Sequence, residues 1–400
     1  MELLKRILFV ILVLGIICGE ILRIDTGQSI AFTLLDCGVG LFVLVSLSLQ
    51  FFQKKVISIK IEKYILLFIG TGIFSLFLNR QNLTLYEALV SLLYALRFIF
   101  YTFGISIGIQ LLGKKWQNYI VYLLFSSAVA LAVLGFIQYF FYPALWNLYY
   151  AGWDNHYYRI FSTFLDPNFM GLFYVFGIIL GIYLSLQSMH GQKRLVQGIF
   201  IFSTVLISIA LILTYSRSAY LAVVIGVSIL VWRLGEKKLF TIGFGSMLLV
   251  IFLVGIFGHH LEGTNVLRIA TVNSRLGTFH EVSAVIARHP IFGVGFDAYR
   301  YAQPPDVILH DRNWVMSHAR ASTDNSFLFV WATTGILGLG LYVFLTYKIL
   351  FFAYTQKGVV SGVLLASYVA AIVGSFFINA LFYPFILVWL WILVGLMESM

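Results

Sequence analysis

Residues 322–338, STDNSFLFVWATTGILG, pass without a pause from polar residues into an apolar run that continues to about residue 351. A spanning helix needs roughly 20 mostly apolar residues, and this stretch supplies them. Asp324 stands at its lip, where a charge is costly unless it is used. One structural use is an N-cap that satisfies the first free N–H groups of the helix.

Windows of the same kind recur along almost the whole chain, which has 400 residues, 61% of them hydrophobic and 10% charged. Soluble domains carry about a quarter charged residues, so the composition excludes an ordinary soluble protein. The sequence predicts an all-α polytopic membrane protein of about twelve spans: 6–23, 29–52, 64–79, 85–112, 117–141, 165–187, 195–214, 216–232, 239–257, 326–351, 359–380 and 382–398. Residues 1–257 hold spans one to nine, 258–325 one large, partly helical extracytoplasmic loop, and 326–400 spans ten to twelve, as one functional unit. The first span lacks a small-residue cleavage site and reads as a span, not a removable signal peptide.

Short cytoplasmic loops collect Lys and Arg, and placing both termini inside puts all twelve lysines on the cytoplasmic side. The other side and the membrane interior carry only arginines, among them Arg97, Arg159, Arg217 and Arg275. Export that disfavours lysine explains part of this bias. Export is one candidate for the whole of it, and an arginine fork that grips phosphate oxygens in pairs is the other reading of the remainder. Much of the net charge of +10 is therefore topological and no sign of nucleic-acid binding. Cys18 and Cys37 lie in apolar spans and read as small hydrophobes.

Two connections on the outer face are long, about 142–164 and 258–325, and function is expected there. In the second, TVNSRLGTFHEVSAVIARHP reads as a helix capped by Asn273 or Ser274 and ended by Pro290. HPIFGVGFDAYR reads as a tight turn, with GVG at 293–295 no more than that.

Several polar residues stand out against this apolar background. Arg159, Asp166 and Asn168 precede the sixth span, with Asp166 placed as its N-cap. Arg217, between Ser216 and Ser218, joins spans seven and eight almost without a loop and must sit at or within the membrane edge. Arg275, expected at the start of the loop helix, is poorly placed for the dipole there, which suits a bound phosphate shared by both. Arg97 lies near mid-span and either pairs with Glu87, pairs with an acid of another span, or lines a cavity. No zinc spacing, phosphate loop, dinucleotide fingerprint or serine-hydrolase elbow occurs.

Taken together, these motifs resemble the O-antigen ligase and polymerase superfamily of bacterial envelope polysaccharide enzymes. The ligases carry His-Asn, nine residues, then Gly-x-x-Gly at the head of a late span. Here Asp324-Asn325 is followed by nine residues and Gly335-Ile336-Leu337-Gly338. The spacing matches, with Asp324 where the family has histidine. RIFSTFLDPN with Arg159, TYSR with Arg217 and NSRLGTFHEVSAVIARHPIFGVGF with Arg275 sit where the family has its arginine motifs, so the likeness covers roughly 155–345.

The resemblance implies a GT-C-like membrane glycosyltransferase of the bacterial cytoplasmic membrane, working on the extracytoplasmic face without metal or other cofactor. Its implied partners are an undecaprenyl-diphosphate-linked glycan donor, a glycan or lipid acceptor and membrane lipid, with no nucleic acid. Arg159, Arg217 and Arg275 would bind the diphosphate, and Asn325, Asn168 and Arg97 would support the site. Asp324 would take the acceptor proton in the histidine's stead, with His318, and then His310, in reserve, giving one displacement with inversion. A polymerase of lipid-linked repeat units is an alternative. So is a flippase or transporter, a class that usually shows internal repeats and discontinuous helices.

Overall fold

The computed structural model describes residues 2–26, 30–53, 57, 60–151, 153–190, 194–235, 270–303, 322–356 and 358–399. His310, His318 and the expected span at 239–257 lie outside them.

Eleven of the twelve expected windows coincide with helices. In chain order these are α1 (Glu2–Cys18), α2 (Leu34–Gln53), α3 (Glu62–Leu78), α4 (Leu85–Ile99) running through a π-helical turn at Phe100–Gly104 into α5 (Ile105–Gln110), α6 (Lys114–Phe141), α7 (Pro167–His190), α8 (Arg194–Ile212) and α9 (Arg217–Leu234). After the loop helix α10 (Ala270–Arg288) come α11 (Ser326–Thr355), α12 (Val359–Ser375) and α13 (Pro384–Glu398). Seven helices among the described residues are long and apolar enough to cross a membrane. One short ribbon interrupts the helices: β1 (Arg23–Asp25) pairs antiparallel with β2 (Ala31–Thr33), Ile24 opposite Phe32, so the second span begins later than expected.

Apolar residues on every side of a helix bury it, and α13 is the case here: Trp389, Phe385, Ile386 and Val388 have no exposed surface. It packs against α5 and α12, while α7 packs on α8, α9 and α12. α8 turns Leu195, Ile199, Phe202, Val205 and Ile209 outward, the stripe of a lipid-facing helix.

Charge separates the two ends of the bundle. The lysines among the described residues gather at one end: Lys5 Nζ donates to Leu111 O at 2.7 Å, and Lys60 and Lys348 lie over the rings of Phe352 and Phe344. Arg159, Arg217 and Arg275 gather at the other.

α11 is broken. Gly335 has φ 68° and ψ −174°, and the freed carbonyls of Ala332 and Thr333 accept from Val294 N and Gly295 N, both at 2.9 Å. Ile336 N donates to Pro290 O at 3.0 Å, and Asn79 Nδ2 to Gly293 O at 2.9 Å. GVG is therefore more than a turn: its backbone splices the loop onto the bundle. A Cβ on Gly335 would stand 2.0 Å from Ile291 O, which is why glycine is needed.

Candidate functional site

The start of α7 is built by Asp166, whose carboxylate accepts from Asn168 N at 2.6 Å and Phe169 N at 3.2 Å, the expected cap. Burial still holds this carboxyl above the usual range, against those bonds and the nearby Arg159. The segment before it does not stay outside. Residues 159–164 are buried in the bundle, and His156, Tyr158, Ser162 and Leu165 all have positive φ. Such backbone costs of order 1–3 kcal/mol per residue and persists only where packing imposes it. Gln138, a buried amide in an otherwise apolar span, imposes much of it: its Oε1 accepts from Phe161 N and Ser162 N, and its Nε2 donates to Arg159 O. A polar side chain within a span was the signal for it.

That backbone holds Arg159 3% exposed, with Nε donating to Thr214 O at 2.8 Å and Nη2 to Asn168 Oδ1 at 3.3 Å. The same Asn168 oxygen accepts from Ser216 Oγ at 3.2 Å, which ties the start of α9 to the start of α7. Arg217, the first residue of α9, is half-buried beside this junction.

Arg275 faces the junction from α10. Burial lowers its pKa, as does the neighbouring charge of Arg217, while Asp324 and Asp166 oppose the shift. Its guanidinium lies 5.6 Å from the centre of the Phe377 ring. α10 already runs from Ala270, so Asn273 and Ser274 lie within it and not at its start. Arg275 is thus past the first turn, and its charge is not set against a helix N-terminus as expected.

The cap of α11 is Asn325, whose Oδ1 accepts from Phe327 N at 2.8 Å and Leu328 N at 3.1 Å. Asp324 is not the cap. Its carboxylate takes a hydrogen bond from Thr278 of α10 and feels Arg275. Burial raises its pKa, with Asp166 and Asp154 adding to the rise. Two arginines and two carboxylates from four parts of the chain therefore share one half-buried neighbourhood.

Arg97 belongs to a different cluster. Its Nε lies 2.7 Å from Asp36 Oδ1 of α2, and its Nη2 donates to Asp36 Oδ2 at 3.0 Å. Tyr101, in the π-turn, donates to the same carboxylate at 2.7 Å, as does Thr33 N at 2.8 Å. The partner is thus an acid of another span. Glu87 instead closes a capping box with Thr84 at the start of α4. Among the described residues, no three His, Cys, Asp or Glu side chains group as metal ligands would.

The fold and this end of the bundle define the class: a multi-pass, all-α membrane protein with an arginine-rich polar site at one end. Residues 202–343 match the family model described as O-antigen ligase, which supports an O-antigen ligase-like superfamily and a ligase- or polymerase-like membrane enzyme. The matched segment holds Arg217, Arg275, Asp324, Asn325 and the Gly335 break, and leaves Arg159 outside. No curated protein matches the chain.

Proposed function

We propose that the protein is a glycosyltransferase that moves a glycan from undecaprenyl diphosphate to an acceptor hydroxyl at the outer face of the cytoplasmic membrane. The observation that carries this is the half-buried pair Arg217 and Arg275 beside Asp324. Two neighbouring guanidinium groups repel each other, and the ligand that relieves this while matching their forks is a phosphate-rich anion. Arg159 adds its charge from beneath and, through Asn168, fixes the start of α9. Arg97 supports the neighbouring wall, and both termini lie inside in a twelve-span, GT-C-like architecture.

In the reaction, the acceptor oxygen bonds to the anomeric carbon as the bond from that carbon to the diphosphate oxygen breaks. The electron pair leaves with undecaprenyl diphosphate, whose growing charge the arginines stabilise at a partly dry site without a metal. Asp324 takes the acceptor proton. Its Thr278 hydrogen bond orients it, and its raised pKa makes it a stronger base than an exposed carboxylate. One displacement inverts the anomeric centre. His318 remains the reserve base.

A polymerase acting on lipid-linked repeat units uses the same parts and differs only in the acceptor. For the flippase reading, the break in α11 is the one feature in favour. Its freed carbonyls, however, already accept hydrogen bonds from residues 294 and 295.

The test is release of free lipid diphosphate from an undecaprenyl-diphosphate-linked glycan by purified protein. Release that requires an acceptor and is lost in Asp324→Asn supports the transferase. Intact donor with every acceptor, together with movement of that lipid across a vesicle membrane, replaces it by the flippase. Arg217→Lys, which keeps the charge but not the fork, is expected to lose roughly 100-fold in turnover. Near-normal turnover at equal protein level would remove Arg217 from the clamp.

A further inference from the structure

A pocket with polar and apolar walls opens at the same end of the bundle, apart from the arginine pair. Its volume is about 130 Å³, and its lining includes Asp297, Arg300, Tyr94, Tyr301, Ser322 and Asn379. At ~30 Å³ per water that is room for about four waters, enough for one ring-sized group and too little for a glycan chain. Val90, Phe329 and Phe382 close the apolar side, and Phe382 is fixed by packing on Phe98, Phe329 and Tyr342 at 5.3–5.4 Å between ring centres.

Two of the polar groups are held there at a cost. Asp297 has φ 57°, a conformation that a non-glycine residue rarely adopts. Burial pushes its carboxyl up to about 7, against Arg300 on its own segment and Arg97 on α4. Asn379 is 9% exposed: its Nδ2 donates to Ser322 Oγ, but its Oδ1 has no hydrogen-bond partner among the described residues. An orphaned buried acceptor costs about 1–3 kcal/mol. The loss is recovered by a ligand that donates.

The donor and acceptor set selects that ligand. A phosphate brings acceptors only, which suits Arg300 but opposes Asp297 and Asn379 Oδ1. An amine suits those two and opposes Arg300. A neutral ring bearing hydroxyls serves all three, because each hydroxyl both donates and accepts, and its less polar face lies against Phe329 and Phe382.

We infer that the Asp297–Arg300–Asn379 pocket binds one neutral sugar ring, that of the acceptor. The assignment to the acceptor rests on the proposed transferase. In an inverting displacement the acceptor approaches opposite the departing diphosphate. Neither Arg217 nor Arg275 lines the pocket, so it stands apart from the arginines proposed to hold the diphosphate. Ser322 joins the two sites, since it lines the pocket and stands two residues before Asp324.

The test uses the full-length protein in nanodiscs and saturation-transfer NMR. Methyl glycosides of glucose, galactose and N-acetylglucosamine probe the pocket, and inorganic pyrophosphate probes the arginines. Val90→Phe fills the pocket, and Asp297→Asn removes the carboxyl while tolerating the left-handed backbone. Melting temperatures confirm that both fold. At least one glycoside is expected to saturate on wild type, vanish in Val90→Phe and weaken about tenfold in Asp297→Asn, with pyrophosphate binding unchanged. No glycoside signal, or one indifferent to both variants, overturns the pocket. With lipid-linked donor, both variants are expected to raise the acceptor KM and leave the donor KM. The reverse places the donor's sugar there and overturns the acceptor assignment. Glycoside binding without any transfer means that the transferase has failed, and the acceptor assignment with it, while the sugar pocket stands.

Discussion

At the scale of single residues, Asn325 performs the capping that a carboxylate at position 324 would otherwise do, which leaves Asp324 to the role of base proposed for it. Its pKa is raised, so the acid limb of kcat/KM is expected above the ordinary carboxylate range, and Asp324→Asn should abolish turnover without unfolding α11. An acid limb at the pKa of an exposed Asp would show that another group is the base. Asp297 makes a prediction about stability. Its folded pKa of about 7 exceeds the ~3.9 of an unfolded chain, so the folded state holds the proton more tightly. Stability present at low pH is then lost as pH rises from about 4 to about 7. The groups facing it are Arg300, Arg97, Tyr94 and Tyr301. Asp297→Asn should raise Tm at pH 8 by several degrees and leave it nearly unchanged at pH 3, below the unfolded pKa, which thermal melts at the two pH values check. An equal shift at both would mean that folding does not raise the pKa of Asp297.

At the scale of elements, the two glycine-bearing motifs are halves of one joint. GVG at 293–295 and the glycines at 335 and 338 are forty residues apart, yet they meet because α11 gives up its own hydrogen bonds at Ala332 and Thr333 to residues 294 and 295. This joint sets where Asp297 stands, and it anchors the chain just after the C-terminal end of α10, the helix that carries Arg275. Gly335→Ala adds a Cβ 2.0 Å from Ile291 O at a φ of 68°. More than about 1–3 kcal/mol of destabilisation is expected, with faster hydrogen exchange at Val294 and Gly295. Unchanged exchange there would show that the splice does not depend on the break. The buried stretch 159–164 is the second such device: four positive-φ residues near it carry strain so that Arg159 enters the bundle instead of the solvent.

At the scale of the whole molecule, the arginine-rich end is braced by Asp36 and Arg97, which lock α2 to α4 within the apolar bundle. Removing one member of this part-buried pair leaves an uncompensated charge, so Asp36→Asn or Arg97→Met alone should each destabilise the protein, by less than the about 3–5 kcal/mol of a fully buried pair. The double variant should cost less than their sum, which a double-mutant cycle on thermal stability measures. Full additivity would mean that the pair is not coupled.

Local composition sufficed for the helices, their order and the family resemblance, since a span is a property of some twenty consecutive residues and the lipid leaves few alternatives for its backbone. It sufficed also for the Asp166 cap, which closes within three residues. It did not reach the assignment of the α11 cap to Asn325, because two adjacent polar residues compete for the same N–H groups and only the backbone geometry chooses between them. The Asp36 partner of Arg97, the descent of 159–164 into the bundle and the pocket at Asp297 rest on contacts between segments tens to hundreds of residues apart. Such contacts are decided by how the helices pack, and that depends on the summed fit of many side chains and not on any pattern readable along the chain.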